Sequence, residues 1–175
     1  MPNVNGAMTH FCPTLFLALC TVTPLAATAQ TPAPASNTGS FHLATTCARA
    51  MPLFTAPGER RWAEGWQPQM LSGSVQRGSV FRTRHENGRP TTWIVTDYEP
   101  GIGHASYARL VEDSNMGLVD VRCTDERAGA QVQVTYTLTA LSDAGRAFVE
   151  HFLAGPHYRA MLEEWRTEVS VALAK

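Results

Sequence analysis

Alternation of apolar and polar residues is the feature of this sequence that most restricts its fold. The clearest example is the segment 131–139, where glutamines and threonines alternate with four apolar residues: Val132, Val134, Tyr136 and Leu138. A period of two places successive side chains on opposite faces of a β-strand. Sheets with one buried and one solvated face are typically antiparallel. The pattern therefore predicts an antiparallel sheet whose apolar face needs a cover.

Similar alternation predicts further strands along the chain. With a weaker strand at 69–75, the expected strands cover residues 41–46, 69–75, 79–85, 91–98, 105–111, 118–123 and 131–139. Two short helices are expected between the first two of these strands, at 48–54 and 59–64, because Pro57–Gly58, Gly65 and Pro68 interrupt the chain there.

The last segment of the chain supplies a cover for the sheet. Ser142 is a good helix N-cap, and it precedes a helical stripe of residues three or four apart: Tyr158, Leu162, Trp165, Val169 and Leu173. Gly155–Pro156 predicts a kink, or a short helix followed by a long one, because proline removes a helical hydrogen bond. The predicted fold class is α+β, with a curved antiparallel sheet of about seven strands wrapped around a long C-terminal helix.

The N-terminal segment is typical of an export signal. An apolar run covers Phe11–Val22, and Ala27-Thr28-Ala29 is a small-x-small cleavage site. The run is shorter than the roughly 20 residues that a membrane-spanning helix needs. We therefore expect a signal peptide at 1–29, a flexible linker at 30–40 and one domain at 41–175, in a periplasmic or secreted protein. A retained membrane anchor stays open, as does a start at Met1 or Met8.

Charge and motifs exclude several classes of function. Lysine and arginine number 14 against 15 acidic residues, a formal net charge of −1, so nucleic-acid binding is not expected. No serine lies in a nucleophile-elbow motif, and the four histidines that follow the first predicted strand are not spaced as zinc ligands: His85, His104, His151 and His157. We predict no metal, no cofactor and no stable insertion into a membrane after cleavage of the signal, and the sequence leaves the oligomeric state open.

Four stretches match motifs of a known superfamily. They are Pro57–Trp66 (PGERRWAEGW) closed by Pro68, Gly78–Thr83 (GSVFRT), Trp93–Tyr98 (WIVTDY), and Thr135–Ser142 (TYTLTALS) with Gly145. They resemble uncharacterised bacterial members of the START-like superfamily, or SRPBCC, which includes polyketide cyclases, aromatases and lipid-transfer proteins. The resemblance covers 41–175 and implies the helix-grip fold. It implies no particular activity, because this fold carries many functions.

A bent sheet cannot contact a straight helix along its full length, so we expect a ligand cavity between the two. The resemblance places a wall of this cavity at Trp62 and Trp66. The predicted ligand-binding residues are Trp62, Trp66, Trp93, Tyr107, Tyr136, Phe148 and Phe152, and the expected ligand is a small hydrophobic or amphipathic molecule. The alternative is that these aromatic side chains form an ordinary core.

Charged side chains leave two further hypotheses open. Arg60 and Arg61 could bind an acidic group of the ligand, or they could be solvated or paired with a neighbouring glutamate. A cyclase-like or aromatase-like enzyme would need an acid–base group in the cavity, and Asp97, Tyr107 and Arg109 are the candidates. Asp97 could instead mark the end of its strand. No catalytic residue is assigned.

An interaction module acting through an exposed apolar patch is the third hypothesis for the function of the protein, after ligand binding and catalysis.

Cys47 and Cys123 remain after the signal is removed, and such a pair is often a disulfide in an exported protein. In the strand order that the resemblance implies, the two would lie two strands apart, about 9–10 Å. A disulfide needs Cα atoms within about 7 Å. Strand ends can bend closer, so the pairing stays open.

Overall fold

The computed structural model of the chain describes residues 33–84 and 88–175. Within them, seven strands form one antiparallel sheet in the order β1-β7-β6-β5-β4-β3-β2. The strands are β1 (Ala35–Leu43), β2 (Gln69–Ser72), β3 (Val80–Thr83), β4 (Thr91–Glu99), β5 (His104–Val111), β6 (Asn115–Glu126) and β7 (Gly129–Ala140). The predicted signal peptide at 1–29 lies outside the described residues.

The first short helix and the C-terminal helices lie where the sequence predicted them, but the second short helix covers Ala56–Glu59 and not 59–64, because Pro57 fits the first turn of a helix. Two short helices follow β1, namely α1 (Cys47–Ala50) and α2 (Ala56–Glu59), with a 3₁₀ turn at Met51–Phe54 between them. After β7 come α3 (Asp143–Phe152) and α4 (Gly155–Ala174), and Pro156 lies in the first turn of α4. The predicted fold class, a curved antiparallel sheet around a long C-terminal helix, is confirmed. No helix in the described part of the chain has the length and apolar character needed to cross a membrane.

The inner face of the sheet carries the apolar residues that the alternation predicted. On β7, Val132, Val134 and Leu138 are fully buried. Along α4, Tyr158, Leu162 and Val169 face them, and the Tyr158 hydroxyl donates a hydrogen bond of 3.0 Å to the Val134 carbonyl. Each fully buried side chain of this size stabilises the fold by about 1.5–3 kcal/mol. These contacts hold α4 against the β1–β7 side of the sheet.

The first turn of α3 contains a glycine, Gly145, which is unfavourable in most helices. The Ser142 hydroxyl accepts a hydrogen bond of 3.0 Å from the Gly145 amide, so Ser142 is the N-cap that the sequence predicted. A side chain at Gly145 would collide with the backbone carbonyl of Ser114, in the turn before β6. Glycine is therefore required here by the close approach of the helix to that turn.

The boundary between linker and domain differs from the prediction. Residues 35–40, expected to be flexible linker, form the first part of β1 and pair with β7 from Ala35↔Leu138 to Leu43↔Ala130. The prediction considered only how little apolar surface this segment can bury. Strand pairing uses backbone amides and carbonyls, and it needs no apolar side chains. Ser36 adds a hydrogen bond of 3.0 Å to the Tyr136 carbonyl.

Cys47 and Cys123 form a disulfide, with their Cα atoms 5.6 Å apart. The longer distance predicted from strand spacing is wrong, because Cys47 is the first residue of α1 and not a strand residue. Helix α1 packs directly against β6, and this contact brings Cys47 close to Cys123. The spacing of the strands in the sheet therefore does not set the distance between the two cysteines. The Cys47 amide also donates a hydrogen bond of 2.6 Å to Asp125, near the end of β6.

Candidate ligand-binding cavity

A cavity of about 680 Å³ lies between the inner face of the sheet, helices α3 and α4, and the segment 56–66. Its walls come from β3 to β7 on one side and from Phe148, Phe152, Met161 and Trp165 on the other. Sites for small molecules have volumes of about 300–1,000 Å³, so this cavity has room for one. Its mouth includes four exposed charged side chains: Glu64, Arg89, Glu164 and Glu168.

All seven residues that the sequence predicted as ligand-binding line this cavity: Trp62, Trp66, Trp93, Tyr107, Tyr136, Phe148 and Phe152. Sequence reasoning did not include Phe81 and Trp165, which complete the aromatic wall. The four tryptophans of the chain are therefore all cavity residues. Phe81 stacks on Trp93 with ring centroids 5.7 Å apart, and Trp66 meets Trp93 edge-on at 5.9 Å.

Hydrogen bonds to the protein fix three of the indole rings. The indole N–H groups of Trp62 and Trp66 donate to the carbonyls of Leu53 and Ala56, at 2.7 and 2.9 Å. The Trp93 N–H donates to the Thr83 hydroxyl at 2.9 Å. Since each polar N–H already has a partner, the tryptophan surfaces that meet the cavity are apolar. The wall is rigid and suits a flat apolar molecule.

Helix α3 forms a more open wall. Phe148 and Phe152 stack with ring centroids 5.6 Å apart, and Phe152 meets the Tyr136 ring at 5.0 Å. Phe148 is 41% exposed, so it belongs both to the cavity and to the outer surface. An exposed aromatic ring beside a cavity marks an edge where a ligand can enter.

Glu59 is a cavity residue that the sequence analysis did not identify as a site. It is the last residue of α2, and its half-buried side chain borders the cavity. Burial raises the pKa of its carboxyl to about 8, so Glu59 is mostly protonated at neutral pH. A signal for it was present in the sequence, because the helix predicted at 59–64 would place Glu59 and Trp62 on one face.

Tyr107 and Arg109, two of the three acid–base candidates, point inward from β5. The Tyr107 hydroxyl donates a hydrogen bond of 2.6 Å to the Phe54 carbonyl, and burial with the nearby Glu59 raises its pKa. Arg109 is 8% exposed, and its guanidinium carbon lies 5.3 Å from the centre of the Trp93 ring. Burial lowers the pKa of Arg109, whereas the nearby Tyr136 raises it.

Asp97, the third candidate, lies on the outer face of the sheet, so the prediction that it could act inside the cavity is wrong. Val95 pairs with Tyr107, but Asp97 pairs with Ser106, which shows a β-bulge between them. The extra residue of a bulge reverses the side chains that follow. The Asp97 carboxylate instead lies 2.9 Å from His104 Nδ1.

His104 is held between two carboxylates on that outer face. Its Nε2 atom lies 2.8 Å from Asp120, which also pairs with Arg122 at 2.9 Å. This cluster joins β4, β5 and β6 beyond the bulge. No group of three His, Cys, Asp or Glu side chains in 33–84 and 88–175 has a geometry that could hold a metal ion. His85, another of the histidines considered, lies outside the described residues.

Arg60 and Arg61 are not part of the cavity lining. Arg60 donates a hydrogen bond of 2.7 Å to the Pro68 carbonyl, and Arg61 donates one of 3.0 Å to the Ala172 carbonyl. Ala172 is in the last turn of α4, where a positive charge is favourable. Both arginines therefore hold the segment 56–68 in place, and the hypothesis that they bind an acidic ligand group is not supported by their positions.

Comparisons with known proteins give the fold. No family model matches the sequence, and no curated protein matches it. Among solved structures, it is similar to an uncharacterised protein from Rhizobium leguminosarum, at 15% identity and a TM-score of 0.60, covering 81% of this chain and 95% of that one. It is also similar to Ara h 8.0201, at 8% identity and a TM-score of 0.64, covering 82% and 100% of the two chains.

A third similar structure is norcoclaurine synthase from Thalictrum flavum in complex with dopamine and hydroxybenzaldehyde, at 7% identity and a TM-score of 0.62. The match covers 82% of this chain and 88% of that one. These neighbours have the helix-grip fold of Bet v 1-like proteins. At such low identities the similarity establishes the fold of this chain and leaves its activity to be argued from the cavity.

Proposed function

We propose that this protein binds a small hydrophobic or amphipathic molecule in the cavity between the sheet and α4. The observation that carries the proposal is the 680 Å³ cavity, with aromatic side chains on both sides of it. Leaving such a space unfilled is unfavourable, since the lining residues lose van der Waals contacts that an occupant would restore. The norcoclaurine synthase structure, with two small aromatic molecules in its complex, supports the proposal by analogy of fold.

A fluorescence titration with N-phenyl-1-naphthylamine, a neutral apolar dye, tests the proposal. Val119 lines the cavity from β6, whereas the adjacent Leu118 is 54% exposed on the outer face. We expect the wild-type protein to bind one dye molecule. Val119→Phe should weaken the affinity about tenfold by occupying cavity volume, and Leu118→Phe should leave it unchanged. Failure of the dye to bind, or equal effects of the two variants, would contradict the proposal.

We also propose membership of the START-like superfamily and export to the periplasm or the medium. The four sequence motifs support the first, and the apolar run with its Ala27-Thr28-Ala29 site supports the second. The Cys47–Cys123 disulfide adds support, because disulfides persist in oxidising compartments. Expression of the full chain in a bacterium should give a periplasmic protein that begins at Gln30. An unprocessed cytoplasmic chain would contradict export.

A second candidate function is acid–base catalysis in the same cavity, and Glu59 is the observation that favours it. A carboxyl with a pKa of about 8 is a general acid at neutral pH. It could donate its proton to a carbonyl oxygen of a bound ketone while water removes a proton from the adjacent carbon. Hydrogen–deuterium exchange of 2-tetralone, followed by NMR, tests this. The wild type should accelerate the exchange and Glu59→Gln should not; equal rates would exclude the role.

The third hypothesis, a module that acts only through its surface, required an interior without a pocket. The cavity is inconsistent with that requirement. The outer face of the sheet does expose an apolar patch, formed by Ile94, Leu110, Met116 and Leu118. Leu118→Phe and Val119→Phe distinguish binding on this patch from binding in the cavity, because Leu118 belongs to the patch and Val119 to the cavity lining.

A further inference from the structure

Arg109 is a buried cation among the aromatic side chains that line the cavity. Its side chain is 8% exposed and lines the cavity from β5. Within residues 33–84 and 88–175 it forms no salt bridge, and its Nε atom has no hydrogen-bond partner. The guanidinium carbon lies over the Trp93 ring, 5.3 Å from the centre of that ring. A buried charge without a partner is strongly unfavourable, so this arginine lacks an acceptor that a ligand could supply.

The buried part of the cavity has one carboxyl among its described lining residues, and it does not neutralise Arg109. Glu59 borders the same cavity, but burial raises the pKa of its carboxyl to about 8. Arginine keeps its charge at all ordinary pH values. At neutral pH the inner part of the cavity, away from the exposed charged residues at its mouth, therefore contains one positive charge, together with a carboxyl that can donate a hydrogen bond. Tyr136 lines the same cavity, and burial raises the pKa of its hydroxyl, whereas the charge of Arg109 lowers it.

We propose that Arg109 binds an anionic oxygen of the molecule in the cavity, so that the ligand class is aromatic or alicyclic acids. The apolar body would lie against Trp62, Trp66 and Trp165, and the acid group would accept hydrogen bonds from Arg109 and from the Glu59 carboxyl. This inference rests on the proposed binding function and adds the chemical class of the ligand. It also explains why an arginine occupies an inward position in the middle of a sheet.

The geometry makes Arg109 suitable for this role. Stacking against Trp93 holds the guanidinium plane in place, and the unpaired Nε–H adds a donor to those at the end of the side chain. Charge-assisted hydrogen bonds to a carboxylate or sulfonate are about twice as strong as neutral ones. In the dry interior such a bond is stronger still, because the dielectric constant is low.

Two dyes with the same aromatic body test the proposal on the whole domain. One is the neutral N-phenyl-1-naphthylamine and the other is 8-anilinonaphthalene-1-sulfonate, which carries an additional sulfonate. Their affinities are measured for the wild type, for Arg109→Gln and Arg109→Lys, and for Arg122→Gln as a matched control. Arg122 lies on the outer face of β6, where it pairs with Asp120.

We expect Arg109→Gln to weaken sulfonate binding about tenfold and to change the affinity of the neutral dye less than about threefold. Arg109→Lys should retain part of the affinity for the sulfonate, because it keeps the charge. Arg122→Gln should change neither dye.

The proposal is overturned if both dyes bind the wild type and neither Arg109 variant changes the affinity for the sulfonate. It is also overturned if folded Arg109→Gln, checked by circular dichroism, loses both dyes equally. In the first case the cavity still binds apolar molecules, so the proposed function stands without the acid group. If neither dye binds the wild type, the proposed function and this inference both fail.

Discussion

At the scale of single residues, Glu59 determines the electrostatics of the cavity. Its side chain is half-buried at the border of the cavity, and within the described residues no basic side chain forms a salt bridge with it. Burial therefore favours the uncharged form, and the pKa rises to about 8. Because ionisation of Glu59 is unfavourable in the folded state, the free energy of unfolding should fall as pH rises.

We predict that Glu59→Gln gains stability relative to the wild type as pH rises. The pKa is about 8 in the folded state and near 4.5 when unfolded, so the wild type loses stability between these two values. Above pH 8 the difference should level off at a few kcal/mol. Urea unfolding at pH 4, 6, 7 and 9 measures it. Glu64→Gln, at the exposed mouth of the cavity, is the control for loss of a surface carboxylate. A constant difference for Glu59→Gln across pH would contradict the assigned environment.

At the same scale, Gly145 should not tolerate a methyl group. Alanine usually stabilises a helix by about 1 kcal/mol relative to glycine. Here its Cβ would collide with the Ser114 carbonyl, and overpacking of this kind costs about 1–3 kcal/mol, so we expect net destabilisation. Gly101 is a matched control because a Cβ there meets nothing within 4 Å. Thermal unfolding of Gly101→Ala should resemble the wild type. Equal stability of both variants would contradict the packing described for α3.

At the scale of elements, the disulfide attaches α1 to β6. It joins residues 76 apart in sequence. Removing the cross-link in Cys47→Ala/Cys123→Ala should reduce the free energy of unfolding by about 2–4 kcal/mol and Tm by roughly 10 °C. Reductant should lower the Tm of the wild type and leave the double variant unchanged. A wild type whose Tm is insensitive to reductant would show that the bond is absent.

The elements also show what the sequence could and could not predict. Strands and helices follow from periodicity within short segments, so β7, the α4 stripe and the interruption at Pro156 were all predicted correctly. The bulge before Asp97 was missed because it depends on pairing with β5, which local alternation does not contain. The position of Cys47 above β6 likewise depends on packing between distant segments. Burial of Glu59 is a third property of this kind.

At the scale of the whole molecule, the cavity results from how the sheet and α4 meet. Tyr158 and Leu162 hold the helix against the β1–β7 side of the sheet, whereas Trp165 and Met161 face the open interior. The remaining strands curve away and carry Phe81, Trp93 and Tyr107 as the opposite wall. Trp93, Tyr107 and Tyr136 line this space because inward positions on each strand were predictable from alternation, whereas Trp62 and Trp66 were expected there from the superfamily resemblance.

The central claim is that a ligand occupies this interior and not the outer face. The four tryptophans all line the cavity, so their indole N–H signals in a ¹H–¹⁵N NMR spectrum report directly on it. Titration with N-phenyl-1-naphthylamine should shift these signals saturably, while the backbone amides of Leu110, Met116 and Leu118 stay unchanged. Shifts confined to those outer-face amides, with unmoved indole signals, would contradict the claim.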